Sequence, residues 1–231
     1  MENDINNEKY VKVLTEILKE NADPEYAPKM KSYMRNKFEF FGIKSKTRRQ
    51  STRELIRAEN RPPYNKLNQL IKKLWQFQQR EYQYFGMEIL EKYKKNFKPD
   101  IIDLFVHMIT HKSWWDTVDM IAKKLVGEYF KIFPNERDKN IEEWLNSDNL
   151  WLQRTTLLFQ LSYKQKTDVK LLFILIKRLK SIDEFFIQKA IGWSLREYSK
   201  VNPNVVEKFI KDNNLSKLSS KEGLKIINKN K

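Results

Sequence analysis

The stretch Lys112-Ser113-Trp114-Trp115-Asp116-Thr117-Val118-Asp119-Met120-Ile121-Ala122-Lys123-Lys124-Leu125 decides how the rest of the chain is read. Trp114, Val118, Ile121 and Leu125 recur at i, i+4, i+7 and i+11, the spacing of one buried helical face. Ser113, with Asp116 three residues on, has the form of a capping box and predicts the helix start. Trp115 lies about 100° round the helix and shares its side with Asp119 and Lys123. The cap accounts for Asp116 but not for Asp119, which is a turn too deep. The plain account of Asp119 is an ion pair with Lys123 one turn later. The other account is a ligand-facing indole and carboxylate set off from the core stripe.

The same periodicity runs outward in both directions. Tyr10, Leu14, Ile17 and Leu18 form one stripe, Leu67, Leu70, Ile71 and Leu74 another, and Ile101, Leu104, Phe105 and Met108 a third. Pro24, Pro63, Pro99, Pro134 and Pro203 stand at or just before predicted helix starts, and Ser181 with Glu184 reads as a second capping box. About a dozen helices of 10–18 residues are expected, with connections short enough for antiparallel neighbours. Helix pairs recurring roughly every 35–45 residues are the mark of a degenerate helical solenoid. Such a stack is curved, and its concave face is the natural binding surface. No Gly/Ser or Pro-rich linker divides residues 1–231, so a single all-α domain is expected. Residues 200–231 carry eight lysines against three acids, and about the last ten read as a basic tail prone to fraying. Val205, Val206, Phe209 and Ile210 nevertheless predict a docked helix, with another around Leu224, Ile226 and Ile227.

Composition sets the class of partner. Lys and Arg number 45 against 30 Asp and Glu, a formal net charge of +15, while hydrophobic residues make up 40% of the 231. That is enough apolar material for a core and a strong attraction for a polyanion, nucleic acid ahead of a membrane surface. The five glycines are scattered singly, which excludes a Gly-rich phosphate loop and argues against a turn-rich β-sandwich. Without cysteine there is no thiol nucleophile and no zinc-thiolate site. His107 and His111 are spaced i, i+4 but lack an evident acidic third ligand, so a solvent-exposed pair is expected rather than a metal site. No apolar run approaches the ~20 residues of a membrane span, and Met1-Glu2-Asn3-Asp4 lacks the plan of a secretory signal. The expectation is a soluble, cytoplasmic protein with no metal and no cofactor.

Two further constellations join aromatic and basic residues. In Ser147-Asp148-Asn149-Leu150-Trp151-Leu152-Gln153-Arg154, Ser147 or Asp148 is the expected cap, and Arg154 follows Trp151 by three positions on one side. After Ser181, Lys189, Trp193, Arg196 and Lys200 recur at i, i+4, i+7 and i+11, a stripe that is basic and aromatic rather than apolar. A solvated face explains most such charge, and core filling explains most tryptophans. Interleaved indoles and cations also suit a phosphate backbone with its sugars and bases.

These segments carry a resemblance. Tyr33-Met34-Arg35-Asn36-Lys37-Phe38, running into Phe41-Gly42-Ile43 and Arg48-Arg49, resembles the N-terminal signature of the AlkD-type alkylpurine DNA glycosylases. The KSWWDTVD, SDNLWLQR and FFIQKAIGWSLREY segments match that family in order and spacing, and the likeness runs from the first helix to about Lys221. The resemblance implies HEAT-like repeats stacked into a curved, basic concave channel for duplex DNA, in a monomer needing no cofactor. It implies excision of cationic N3- and N7-alkylated purines, such as 3-methyladenine and 7-methylguanine, leaving an abasic site for base excision repair. Carried over by position, the catalytic carboxylate falls on Asp119 and its flanking tryptophans on Trp115 and Trp193. A DNA-contacting arginine falls on Arg154 and a backbone-contacting tyrosine on Tyr33. Lys189, Arg196 and Lys200 are expected to add cationic contacts to the DNA. One departure is visible: Lys44-Ser45-Lys46 stands where the family often has a neutral residue and a Thr-Pro pair. Lys44 is expected to strengthen the grip on the strand opposite the lesion. Two other readings compete, a non-catalytic helical-repeat protein binding bent or branched DNA and a helical scaffold for an acidic protein.

Overall fold

The computed structural model describes residues 6–229. Fourteen α-helices follow one another, and among the described residues there is no β-strand, only an isolated bridge between Glu39 and Gln79. The first six are α1 (Asn7–Glu20), α2 (Ala27–Tyr33), α3 (Ser45–Ser51), α4 (Leu67–Gln76), α5 (Arg80–Glu91) and α6 (Ile101–Thr110). The remaining eight are α7 (Trp115–Ile121), α8 (Gly127–Ile132), α9 (Pro134–Leu145), α10 (Leu150–Leu158), α11 (Val169–Leu179), α12 (Phe185–Ser199), α13 (Pro203–Asp212) and α14 (Lys217–Gly223). The architecture is all-helical and helical-repeat-like, as the periodicity predicts. The helices are shorter than expected: the longest, α12, has 15 residues, and α2, α3, α7, α8 and α14 have six or seven. No helix among the described residues is long and apolar enough to cross a membrane.

Contacts gather the chain into two compact units, Met1–Lys112 and Ser113–Lys231, meeting at a residue, Lys112, whose φ of 50° ends any helix there. In the first unit, α4 packs against α1, α5 and α6. The predicted stripes supply its core: Leu14, Leu18, Leu67, Leu70, Ile71, Leu74, Leu104, Phe105 and Met108 are fully buried. Each such side chain contributes about 1.5–3 kcal/mol through apolar burial. In the second unit, α10 packs against α7, α9, α11 and α12, and α12 packs against α13 and α14. α10 is therefore the element that ties the Trp-Trp-Asp helix to the basic one.

Helix starts follow the caps less closely than the sequence suggests. The chain enters α7 extended at Trp114 (φ −159°, ψ 160°), so the N-cap is Trp114 and Ser113 lies outside the helix. α12 likewise begins after an extended Glu184, three residues beyond Ser181, and no side chain caps it. Neither predicted capping box closes its helix. α10 is capped by Asn149, whose side chain accepts from the N–H groups of Trp151 and Leu152, rather than by Ser147 or Asp148. Ser147 instead donates to the Trp144 carbonyl at 2.7 Å.

The described part of the C-terminal segment, through residue 229, is docked. The Ser219 hydroxyl donates to the Gln188 carbonyl at 2.8 Å, Glu222 and Ile227 are buried, and Gly192 lets α14 approach closely. A Cβ at Gly192 would lie 2.5 Å from Glu222 Cβ and 2.9 Å from the Ser219 oxygen. Glycine is required at that crossing.

Candidate active site

The six tryptophans separate by burial. Trp75 and Trp144 are core residues, 3% and 1% exposed, and both lie outside the three constellations. Trp114, Trp115, Trp151 and Trp193 are half-buried, and all four stand in the second unit. The expected contrast between a core Trp114 and a surface Trp115 is thus softened. The Trp114 ring packs 5.7 Å from Trp151 and 5.2 Å from Phe186, and Trp151 and Phe186 are 5.0 Å apart, so three rings from the approach to α7, from α10 and from α12 form one cluster.

Asp119 lies beside this cluster, with its side chain only 14% exposed. Its partner is Arg154, not Lys123. Arg154 Nε donates to Asp119 Oδ1 at 2.7 Å and Nη2 to Oδ2 at 2.8 Å, a bidentate pair, while Nη1 donates to the Phe186 carbonyl of α12. Arg154, which the resemblance assigns to DNA contact, has a side chain only 4% exposed and bound on three nitrogens. The physical reason is its place on α10, between α7 and α12, where a buried cation must find a carboxylate and a carbonyl. Arg154 therefore locks three helices to one carboxylate.

Burial pushes the Asp119 carboxyl above the usual aspartate range. The Arg154 hydrogen bonds and charge pull it down, and nearby Asp116 pushes it up further. Each carboxylate oxygen accepts one bond from Arg154 and keeps lone-pair capacity for a second partner. Trp115 stands one turn before Asp119 on α7. Trp193 stands two turns after Phe186 on α12, so it shares the side of α12 whose carbonyl receives Arg154.

Just beyond Asp119 the helix widens. Ala122–Val126 form a π turn, in which the Gly127 N–H bonds back to the Ala122 carbonyl. Such turns insert one residue into an α-helix and recur at functional sites. Gly127 is needed there, because a Cβ would meet the Phe159 carbonyl oxygen at 2.4 Å. The Tyr163 hydroxyl donates to the Gly127 carbonyl at 2.6 Å and helps fix this turn.

The basic stripe of α12 is largely neutralised. Glu222 of α14 accepts from Lys189 Nζ at 2.5 Å and pairs with Arg196, and Lys200 pairs with Glu197 at 2.8 Å. Each of the three cations expected to contact DNA thus has an acidic partner within the protein, and one of the few acids near the C-terminus folds back over two of them. Sequence spacing along α12 gave no sign of this, because Glu222 belongs to another helix.

Tyr33 and Lys44 belong to the first unit. Tyr33 ends α2 and is 69% exposed, the most exposed large aromatic among the described residues. Lys44 is the N-cap position of α3, with Nζ 4.7 Å from the Tyr26 ring centroid. The loop before it is held by a residue the sequence reading missed. The buried Glu81 carboxylate accepts from the N–H groups of Phe41, Gly42 and Ile43 at 3.1, 3.1 and 3.2 Å. Gly42 has φ +88°, and a Cβ there would lie 2.0 Å from the Asp23 oxygen, so this turn admits only glycine. His107 and His111 stack at 4.1 Å, and no group of three metal-ligating side chains occurs among the described residues.

No curated protein matches the chain. A solved structure described as a predicted DNA alkylation repair enzyme from Enterococcus faecalis is similar to it, with a TM-score of 0.82 and 36% identity over 89% of this chain and 96% of that one. Residues 14–227 match the family described as DNA alkylation repair enzyme. The buried Asp119 carboxylate and the arginine that clamps it lie inside the matched span, and the chain belongs to the DNA alkylation repair enzyme family.

Proposed function

We propose that the protein is a DNA glycosylase that hydrolyses the N-glycosidic bond of cationic N3- and N7-alkylated purines, such as 3-methyladenine and 7-methylguanine, in duplex DNA. The observation that carries this reading is a single one: a buried carboxylate, Asp119, held bidentate by Arg154 on a face with half-buried indoles. Alkylation at N3 or N7 already makes the base a cation and a good leaving group, so no general acid is needed. The C1′–N bond breaks with its electron pair leaving on the base, which departs neutral. Oxocarbenium character then develops on the deoxyribose, water adds at C1′, and its proton is lost to solvent.

Asp119 supplies a fixed negative charge for that transition state and an acceptor for the attacking water. Its burial makes the interaction stronger than in bulk solvent. Trp115 and Trp193 add electron-rich faces that favour the cationic base and sugar. Arg154 is a positioning residue, since it fixes Asp119 without facing solvent itself. Tyr33 and Lys44 supply backbone contacts from the first unit.

The alternative of a non-catalytic binder of bent or branched DNA draws on the same Arg154 pair, which on that reading is purely structural. Base release from methylated duplex separates the two. Wild type is expected to release 7-methylguanine, and Asp119→Asn to bind duplex normally while releasing it roughly 10²-fold more slowly. Equal release by both proteins removes Asp119 from the mechanism, and no release by either favours the binder.

A further inference from the structure

The second unit contains an open pocket of about 360 Å³, lined by Lys123, Lys164 and Lys200 together with Glu197, Tyr198 and Ser162. It draws its lysines from three places: the π turn after α7, the turn after α10, and the end of α12. Lys200 is paired with Glu197, whereas Lys123 and Lys164 have no ion pair among the described residues. The pocket therefore carries a formal excess of two positive charges. An anion entering the pocket would meet this excess of positive charge. Lys164 is held at φ 52°, in the left-handed region, which costs roughly 1–2 kcal/mol for a non-glycine residue. Backbone outliers of this kind cluster at ligand sites.

Lys123 follows Asp119 by one turn on its helix, and Glu197 follows Trp193 by one turn on α12. The pocket thus begins about 6 Å along each helix from the residues assigned to the reacting nucleotide. A DNA strand rises about 3.4 Å per nucleotide, so the nearest charges at that distance lie one or two nucleotides from the lesion. We propose that this pocket seats a backbone phosphate of the lesion-bearing strand, gripped by Lys123 and Lys164 with hydrogen bonds from Tyr198 and Ser162. The assignment rests on the glycosylase reading only for which strand and which phosphate it names. The chemistry, an oxyanion held by two unpaired ammonium groups, stands apart from that reading.

The test is binding of a duplex carrying a stable abasic-site analogue, measured by fluorescence anisotropy over a range of salt concentrations. The Lys123→Gln/Lys164→Gln double variant is expected to bind about tenfold more weakly, the scale of one charge-assisted hydrogen bond. Its salt slope is expected to fall by about one unit. A Lys170→Gln/Lys177→Gln pair on the exposed side of α11 is the control and is expected to change the slope less. Replacing single phosphates by neutral methylphosphonates identifies the contact. At one position, one or two nucleotides from the lesion, the substitution is expected to weaken wild type and leave the double variant unaffected. Equal losses for both proteins at every position overturn the proposal, as does a control pair with the same slope loss. A thermal upshift of wild type by inorganic phosphate, absent from the double variant, with no methylphosphonate position that separates the two proteins, assigns the pocket to free phosphate and overturns the backbone assignment. In base release, the double variant is expected to raise KM and leave kcat near wild type. Failure of wild type to release any base, with the methylphosphonate result intact, sinks the glycosylase reading and leaves the phosphate site standing.

Discussion

Replacing Arg154 by methionine removes the clamp and leaves Asp119 in place. The pair is buried on both sides, with side-chain exposures of 4% and 14%, and is joined by bonds of 2.7 and 2.8 Å. Breaking such a pair by deleting one partner costs about 3–5 kcal/mol, because a charge is left buried and uncompensated. For a chain of this size that corresponds to a fall in melting temperature of about 6–20 °C. The cost depends on pH in a definite direction. Asp119 already titrates above the ordinary aspartate range, and Arg154 is what pulls its pKa down. Without Arg154 the folded-state pKa rises further. Relative to the unfolded chain, a raised carboxyl pKa favours folding below the unfolded value and loses that advantage as pH climbs through the folded value.

The Arg154→Met penalty is therefore expected to be largest at neutral pH and to shrink as pH falls and Asp119 takes a proton. Adding Asp119→Asn should restore most of the lost stability at neutral pH, because the orphaned charge is then gone. Thermal melts of wild type, both single variants and the double variant at several pH values measure the whole cycle. A penalty below about 1 kcal/mol, independent of pH and unrelieved in the double variant, would refute the idea that Arg154 exists to hold Asp119.

Other expectations follow from the same geometry. The acid limb of kcat/KM for base release should lie above the ordinary aspartate range, since catalysis needs the carboxylate and burial raises its pKa; a limb at or below pH 4 or so contradicts this. Arg154→Lys should keep the charge, lose the bidentate geometry and move that limb upward, checked by the same pH profile. Gly127→Ala should destabilise the second unit by about 1–3 kcal/mol despite alanine's better helix propensity, because the clash is with a backbone carbonyl; urea titration measures it. Glu81→Gln should cost about 1–3 kcal/mol by leaving backbone donors of residues 41–43 poorly matched. Amide exchange in that loop should accelerate, and unchanged protection would count against the clamp.

The helical class and much of the core were legible because apolar spacing is a local property of the chain. Leu14, Leu18, Leu67 and Leu70 are buried where their stripes place them. Asp119 stood out only through the resemblance of its segment, since its spacing alone favoured an ion pair with Lys123. What its spacing could not supply was its partner. Lys123 is the nearest cation along the sequence, yet Arg154 takes the carboxylate from another helix, and Lys123 turns to a pocket of its own. Glu222 shows the same limit, as it neutralises Lys189 and Arg196 across an interhelix contact that no single-helix pattern records. The caps failed for a milder reason. Extended backbone at Trp114 and Glu184 set the helix starts, and the preceding serines were left outside.

The π turn at Ala122–Val126 makes the site a matter of phase as well as composition. The buried side chains run through the turn, from Val118, Ile121 and Ala122 to Leu125, Val126, Tyr129 and Phe130. Deleting a single residue from this turn would yield a more regular helix. It would also rotate everything before it by about 100° relative to everything after. With the downstream face seated in the core, Asp119 would swing off Arg154. A length change of one residue, leaving Asp119 and Arg154 both in the chain, is then enough to part the carboxylate from its clamp, so this helix is constrained by register as well as by residue identity.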